Sequence, residues 1–134
     1  MGIKSFEDIV AWQKAVELYT LLYASLKNSK DYSYKDQLLR ATLSISNNIA
    51  EGFDRSSKKE FRQFLIISRG SAAEVRSMLL ISKRLNTISA ENLNTSLSLV
   101  KDISRLLTGF IKSIDSEHQK QTTDHRPQTT GKPQ

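Results

Sequence analysis

The sequence predicts an all-α protein, an antiparallel up-down four-helix bundle followed by a disordered C-terminal tail. Three observations carry that expectation. Apolar residues recur at three- and four-residue steps in four separate stretches. Each stretch follows a serine suited to capping a helix. Both prolines, Pro127 and Pro133, fall in the last eight residues, so neither interrupts a helical stretch.

The first stretch runs from about Phe6 to Leu26. Ser5 with Asp8 three residues on forms a capping-box variant, and Ile9, Trp12, Val16, Tyr19, Tyr23 and Leu26 make one stripe. The second runs from about Tyr34 to Phe53. Ser33 and Asp36 repeat the cap pattern, Leu38, Ala41, Ile45, Ile49 and Phe53 form the stripe, and Gly52 with Asp54-Arg55-Ser56 marks the end. The third, from about Lys58 to Leu85, is opened by Ser57 with Glu60, the best capping box in the chain. The fourth runs from about Ala90 to Ile114 behind Ser89. Its stripe is Leu93, Leu97, Val100, Ile103 or Ser104, Leu107, Phe110 and Ile114. Short connections between four helices favour antiparallel neighbours. The domain reading is therefore a bundle over residues 1–114. Residues 115–134, rich in Gln, Thr, His and Pro, hold too little apolar surface to offset the entropy of ordering, and form the expected tail.

Composition narrows the function classes. The chain has 134 residues, enough for one domain, with 38% hydrophobic and 25% charged residues. It has no cysteine, which excludes disulfides, thiolate metal sites and a cysteine nucleophile, and fits a reducing compartment. The N-terminal residues lack the apolar run of a secretory leader, and no apolar stretch approaches a membrane span. A cytoplasmic protein without a membrane partner is expected.

The net charge of +6 is unevenly placed: residues 55–84 carry eight basic and two acidic residues, which alone gives +6. A polyanion partner is one explanation, and a solvated helix face is the other. The third helix contains a near-repeat at fourteen residues, Phe61–Arg69 against Val75–Lys83. Two heptads nearly superpose equivalent residues around the axis, so the repeat supports an unbroken helix. Arg55, Arg62, Arg69, Arg76 and Lys83 recur every seven residues and form a slowly turning basic ridge. Arg55 falls before the cap, while Lys58, Lys59 and Arg84 lie nearby in sequence. These eight residues are the candidate nucleic-acid contacts.

The same helix carries apolar runs, Phe64–Ile67 and Met78–Ile81, that wrap most of its circumference. A helix with one buried face needs only a stripe, so a second subunit is the economical cover for the remainder. Between the runs lies Gly70-Ser71-Ala72-Ala73. A glycine within a helix costs about 1 kcal/mol relative to alanine, which points to close approach of another backbone there.

On the second helix, Arg40, Ser44, Asn47, Asn48 and Glu51 share a side near the apolar stripe, and Ser71 and Glu74 lie one turn apart on the third. Arg40, Ser44, Asn48, Glu51, Ser71 and Glu74 are read as a polar network that fixes register within or between subunits. Arg40 with Glu74, or Arg69 with Glu51, are its candidate ion pairs, since a buried charge requires a partner. A ligand or nucleic-acid contact is the alternative use of these groups.

Catalysis is not expected. Both histidines, His118 and His125, fall in the expected tail, and the sequence has no Glu-x-x-His pairs, Walker-type loop, Gly-x-Ser-x-Gly elbow or Asp-rich calcium loop. Glu51 and Glu74, near arginines, suit salt bridges better than acid catalysis. No metal and no cofactor is expected.

A set of motifs gives a more specific indication. Phe6-Glu7-Asp8 precedes Trp12-Gln13-Lys14-Ala15; then come Arg40-Ala41-x-x-Ser44-Ile45-x-x-Asn48-Ile49-Ala50-Glu51-Gly52, Arg55-Ser56, Phe64-Leu65, and Arg69-Gly70-Ser71 with Glu74. Over residues 5–112 this order resembles the four-helix bundle proteins encoded in 23S rRNA intervening sequences, whose fold is similar to that of the accessory variability protein of diversity-generating retroelements. The resemblance implies a homopentameric ring with a positively charged surface. For the retroelement branch it also implies binding of nucleic acid and of a reverse transcriptase. Leu39-Arg40 departs from the arginine pair common in the family, and Tyr34-Lys35 lies where a Gly-Leu pair is common. The expected function is thus a non-enzymatic homo-oligomer, pentameric by the resemblance, that binds RNA or DNA backbone through its third helix. The alternative is a protein-interaction scaffold whose arginines pair with acidic groups of a partner.

Overall fold

The structure, a computed structural model, describes residues 2–125, with side chains described through Lys120. Among the described residues, one 3-10 turn (Phe6–Asp8) precedes four helices: α1 (Val10–Ser25), α2 (Tyr32–Phe53), α3 (Lys58–Leu85) and α4 (Ala90–His125). Each helix packs on its neighbours in the chain, and α4 closes the bundle against α1. No described helix is long and apolar enough to cross a membrane.

The local start signals are used, with two shifts. Ser5 and Asp8 do form a reciprocal capping box, but on the 3-10 turn, and α1 begins only at Val10. Asp31, not Ser33, caps α2, its carboxylate accepting from the Tyr34 amide. Ser57 accepts from the Glu60 amide at 3.1 Å and Ser89 from the Asn92 amide at 3.2 Å, as their positions predict. Asn86 ends α3 in the left-handed conformation (φ 56°), which asparagine tolerates better than most residues.

Side-chain bonds between helices show the register. At the start of α2, the Tyr34 hydroxyl donates to the Met78 carbonyl at 2.7 Å and also bonds the Ser82 hydroxyl. Further along, the Ser44 and Ser71 hydroxyls bond at 2.8 Å and Ser68 donates to the Ile45 carbonyl at 2.8 Å. Ascending positions on α2 therefore meet descending positions on α3. The same holds for α3 with α4, where Arg62 meets Asp115 and Arg69 meets Thr108.

The core corrects the stripe expected on α1. Ala11, Ala15, Leu18 and Leu22 are buried together with Ile9 and Leu26, whereas Trp12, Val16 and Tyr19 are half-buried and Tyr23 is exposed. Alanines at the interface let α1 approach its neighbours closely, and the aromatic rings lie at the edge of that contact. On α2, Leu38, Ala41, Ile45 and Ile49 are buried as expected, with Phe53 at the rim. On α4 the buried choices are Ile103 over Ser104 and Ile111 over Phe110, while Leu97 and Phe110 pack at the margin. Each fully buried leucine or isoleucine contributes about 1.5–3 kcal/mol.

Two further expectations change. The helix expected to stop at Ile114 continues through residues 115–125, so the first part of the expected tail is helical and both histidines lie on α4. Ile114 is buried, and the next turn is held because Asp115 and Glu117 reach Arg62 and Lys58 of α3. No glycine or proline interrupts the sequence between Ile114 and Pro127. Residues 126–134 lie outside the described residues, and with them the rest of the expected tail. Gly70 also differs from expectation: it is exposed, and a Cβ there would meet nothing within 4 Å. The close approach is at Gly52, where a Cβ would stand 2.5 Å from the Phe64 Cβ and 3.0 Å from the Phe61 ring. That glycine allows α2 to end against the first turns of α3.

Candidate nucleic-acid interface

The basic ridge of α3 is divided by its partners. At the N-terminal end most of its charge is matched. Arg55, in the connection before α3, pairs with Glu51 at 2.8 Å and lies over the Phe64 ring at 4.9 Å. Lys58 reaches Glu117 at 3.0 Å. Arg62 grips Asp115 through two bonds of 2.6 and 3.2 Å. The hydrogen bond from Arg62, aided by its charge and by His118, holds the Asp115 carboxyl below the usual aspartate range; the same bond raises the Arg62 guanidinium. Lys59, exposed beside them, completes the basic side of a cleft of about 420 Å³ whose acidic side is Asp115 and Glu117.

Arg69 is half-buried and donates to the Thr108 hydroxyl at 3.3 Å, so it joins α3 to α4 without a carboxylate. Beyond it the surface changes character. Arg76 faces Lys101 and Arg105 of α4 across a groove of about 560 Å³ that is also lined by Ala73, Ser77, Leu80 and Ser104. A second groove of about 350 Å³ continues from Arg105 past Thr108 and Gly109 to Lys112. Arg76, Lys101, Arg105 and Lys112 are all exposed, and none forms an ion pair with a described residue. Among the described residues, no acidic side chain lines either groove. Lys83 and Arg84 lie in the last turn of α3, where positive charge also complements the helix dipole.

Sequence reasoning missed Lys101, Arg105 and Lys112. Summed over residues 85–114 the charge is only +1, because Glu91 and Asp102 offset two of three cations. Spacing held the missing signal: steps of four and seven put the three cations on one face, while Asp102 turns to Lys14 of α1 at 3.8 Å.

The polar network is partly assembled. Ser44 bonds Ser71, and the Asn48 amide donates to the Ser44 carbonyl at 2.8 Å and to its hydroxyl at 3.0 Å. Within the chain neither candidate ion pair forms. Glu51 is taken by Arg55, four residues away on the same chain segment, and Arg69 is turned to α4. Arg40 and Glu74 are both exposed, so solvent screens their charges and no pairing is required.

Comparison with known proteins places this architecture. The family model for 23S rRNA-intervening sequence protein matches residues 7–109. The chain belongs to that family. The match spans all of α1, α2 and α3 and most of α4, including the α4 cations up to Arg105, and it ends before Lys112 and the Asp115–Glu117 turn. The chain is also similar to a solved structure, a protein of unknown function from the S23 ribosomal protein family of Bacteroides thetaiotaomicron. The two share 26% identity with a TM-score of 0.68, covering 76% of this chain and 94% of the other. A search of curated proteins finds no match.

Proposed function

We propose that this member of the family is a binding protein for polyanions, specifically for the phosphate backbone of nucleic acid, and that the contact surface is the groove between α3 and α4. The observation that carries the reading is the set of exposed cations, Arg76, Lys101, Arg105 and Lys112, on a surface where no described residue contributes a carboxylate. Unmatched charge along a trough suits a continuous row of phosphates, and Ser77, Ser104 and Thr108 supply hydroxyl donors beside it. The centre of the surface thus moves along the ridge, away from Arg55, Lys58 and Arg62.

The reading includes self-association. Ile67, Ile81 and Leu85 of α3 are 50%, 46% and 58% exposed, an apolar outer face that a second copy would cover. A ring of such copies, five by the family resemblance, would repeat the cationic groove around the assembly. A strictly monomeric mass by light scattering at micromolar concentration would contradict this part.

The test of the binding surface is fluorescence anisotropy with a labelled RNA hairpin across a salt series. Each phosphate contact contributes about 0.9 to the slope of log affinity against log salt on a duplex. Replacing Arg76, Arg105 and Lys112 by glutamine is expected to flatten the slope by about 2.7. An unchanged slope would overturn the assignment of the groove.

A further inference from the structure

We infer that the groove selects duplex over single-stranded nucleic acid, an inference that rests on the polyanion reading of the same surface. Proteins that hold single strands combine cations with aromatic side chains on which bases stack, each stack being worth about 1–3 kcal/mol. This groove has the first component and lacks the second. Residues 65–85 of α3 and 90–109 of α4 contain no Phe, Tyr or Trp. The aromatic side chains of these helices lie elsewhere and are engaged. Phe61 and Phe110 meet edge-to-face with centroids 5.2 Å apart, and Phe64 lies beneath the Arg55 guanidinium.

The floor has the same bias. Ala73, Ser77, Ser104 and Gly109 offer short side chains or none, and no described lining residue carries an aromatic ring; the flat groups there are the guanidinium planes of Arg76 and Arg105. What remains is charge, hydroxyls and the aliphatic side chain of Leu80. Along α4 the cations from Lys101 to Lys112 extend about 16 Å, and Arg76 adds charge from the facing helix. A surface that gains only from phosphate neutralisation gains most where phosphates are densest. A duplex carries one charge per about 1.7 Å of axis, and its counterion release per contact is about 0.9 against about 0.7 for a single strand. For about four contacts the salt slopes are about −3.6 and −2.8; with equal affinities at 1 M salt as the reference, the difference favours duplex by about sixfold at 0.1 M salt. Base identity does not enter.

The test measures anisotropy of the full chain with labelled oligonucleotides of equal length: two duplexes of unrelated sequence, and each of their strands. The expected result is equal affinity for the two duplexes, weaker binding of every strand by about sixfold at 0.1 M salt, and the two slopes above. The Arg76→Gln, Arg105→Gln, Lys112→Gln variant, with helicity checked by circular dichroism, is expected to lose the preference. Single strands binding as tightly as duplexes, with both lost in the variant, would overturn duplex selection and leave the polyanion reading standing. Binding of neither form would overturn that reading and this inference together. A duplex preference that persists unchanged in the folded variant would overturn the placement in this groove.

Discussion

The two ends of α3 use the same residue types differently. At its N-terminal end, cations are consumed by the fold: Arg55 by Glu51, Lys58 by Glu117, Arg62 by Asp115. The same end holds the aromatic cluster, with Phe61 edge-to-face against both Phe53 and Phe110, and the tight contact at Gly52. Towards its C-terminal end, Arg76 faces cations instead of carboxylates, and Leu80, Ile81 and Leu85 are exposed. A regular seven-residue ridge therefore has a fastened end and an open end. Identity of charge says little about use; the residue across the seam decides it.

The comparison can be broken most strongly at its two glycines. Gly52→Ala would force a Cβ against the Cβ of Phe64, an atom that cannot swing away, and should cost about 1–3 kcal/mol in urea unfolding. Gly70→Ala adds a methyl into open space on an exposed helical face and should stabilise by up to about 1 kcal/mol. Equal effects at the two sites would remove the distinction between a glycine packed against α3 and one open to solvent.

A smaller effect sharpens the electrostatic half of the comparison. Asp115→Asn with Glu117→Gln should release Arg62 and Lys58 and convert the fastened end into further cationic surface. The salt slope for RNA-hairpin binding should steepen by up to about 1.8, one contact for each freed cation. If the slope does not change, the groove alone is the contact surface and the N-terminal end lies beyond reach of the ligand.

The smallest effect is in pH. The folded state holds the Asp115 carboxyl below its ordinary range, so the proton binds more weakly to the folded than to the unfolded chain. The contribution of this link to stability is present above the unfolded aspartate pKa and is lost as pH falls through the lower folded value. NMR titration of the Asp115 carboxyl carbon should give a midpoint below that of a free aspartate, and Arg62→Gln should return it towards the ordinary range. A wild-type midpoint at the ordinary value would mean that the two-bond pair does not persist in solution.

Much of the fold was legible from local signals. Apolar spacing and the absence of internal proline located four helices, serine caps marked the starts of α3 and α4, and the fourteen-residue repeat correctly implied that α3 is unbroken. The stripe on α1 was misplaced because period alone favours large residues: Trp12 and Tyr23 fit a helical repeat as well as Leu18 and Leu22 do, and only neighbouring helices distinguish the two faces. The end of α4 was placed too early because composition weighs a polar segment by its lack of apolar area. It does not register carboxylates that find cations fifty residues earlier in the chain.

By itself the sequence determined the helices, their order, the apolar side of α2 and the concentration of positive charge on α3, because these follow from propensity, spacing and composition within one segment. Tertiary structure alone decided which cations stay available. Packing α4 antiparallel to α3 set Asp115 and Glu117 against one end of the ridge and Lys101, Arg105 and Lys112 along the seam beyond it. Charge acts through space over a few ångströms, so its use depends on neighbours that the linear order places far apart.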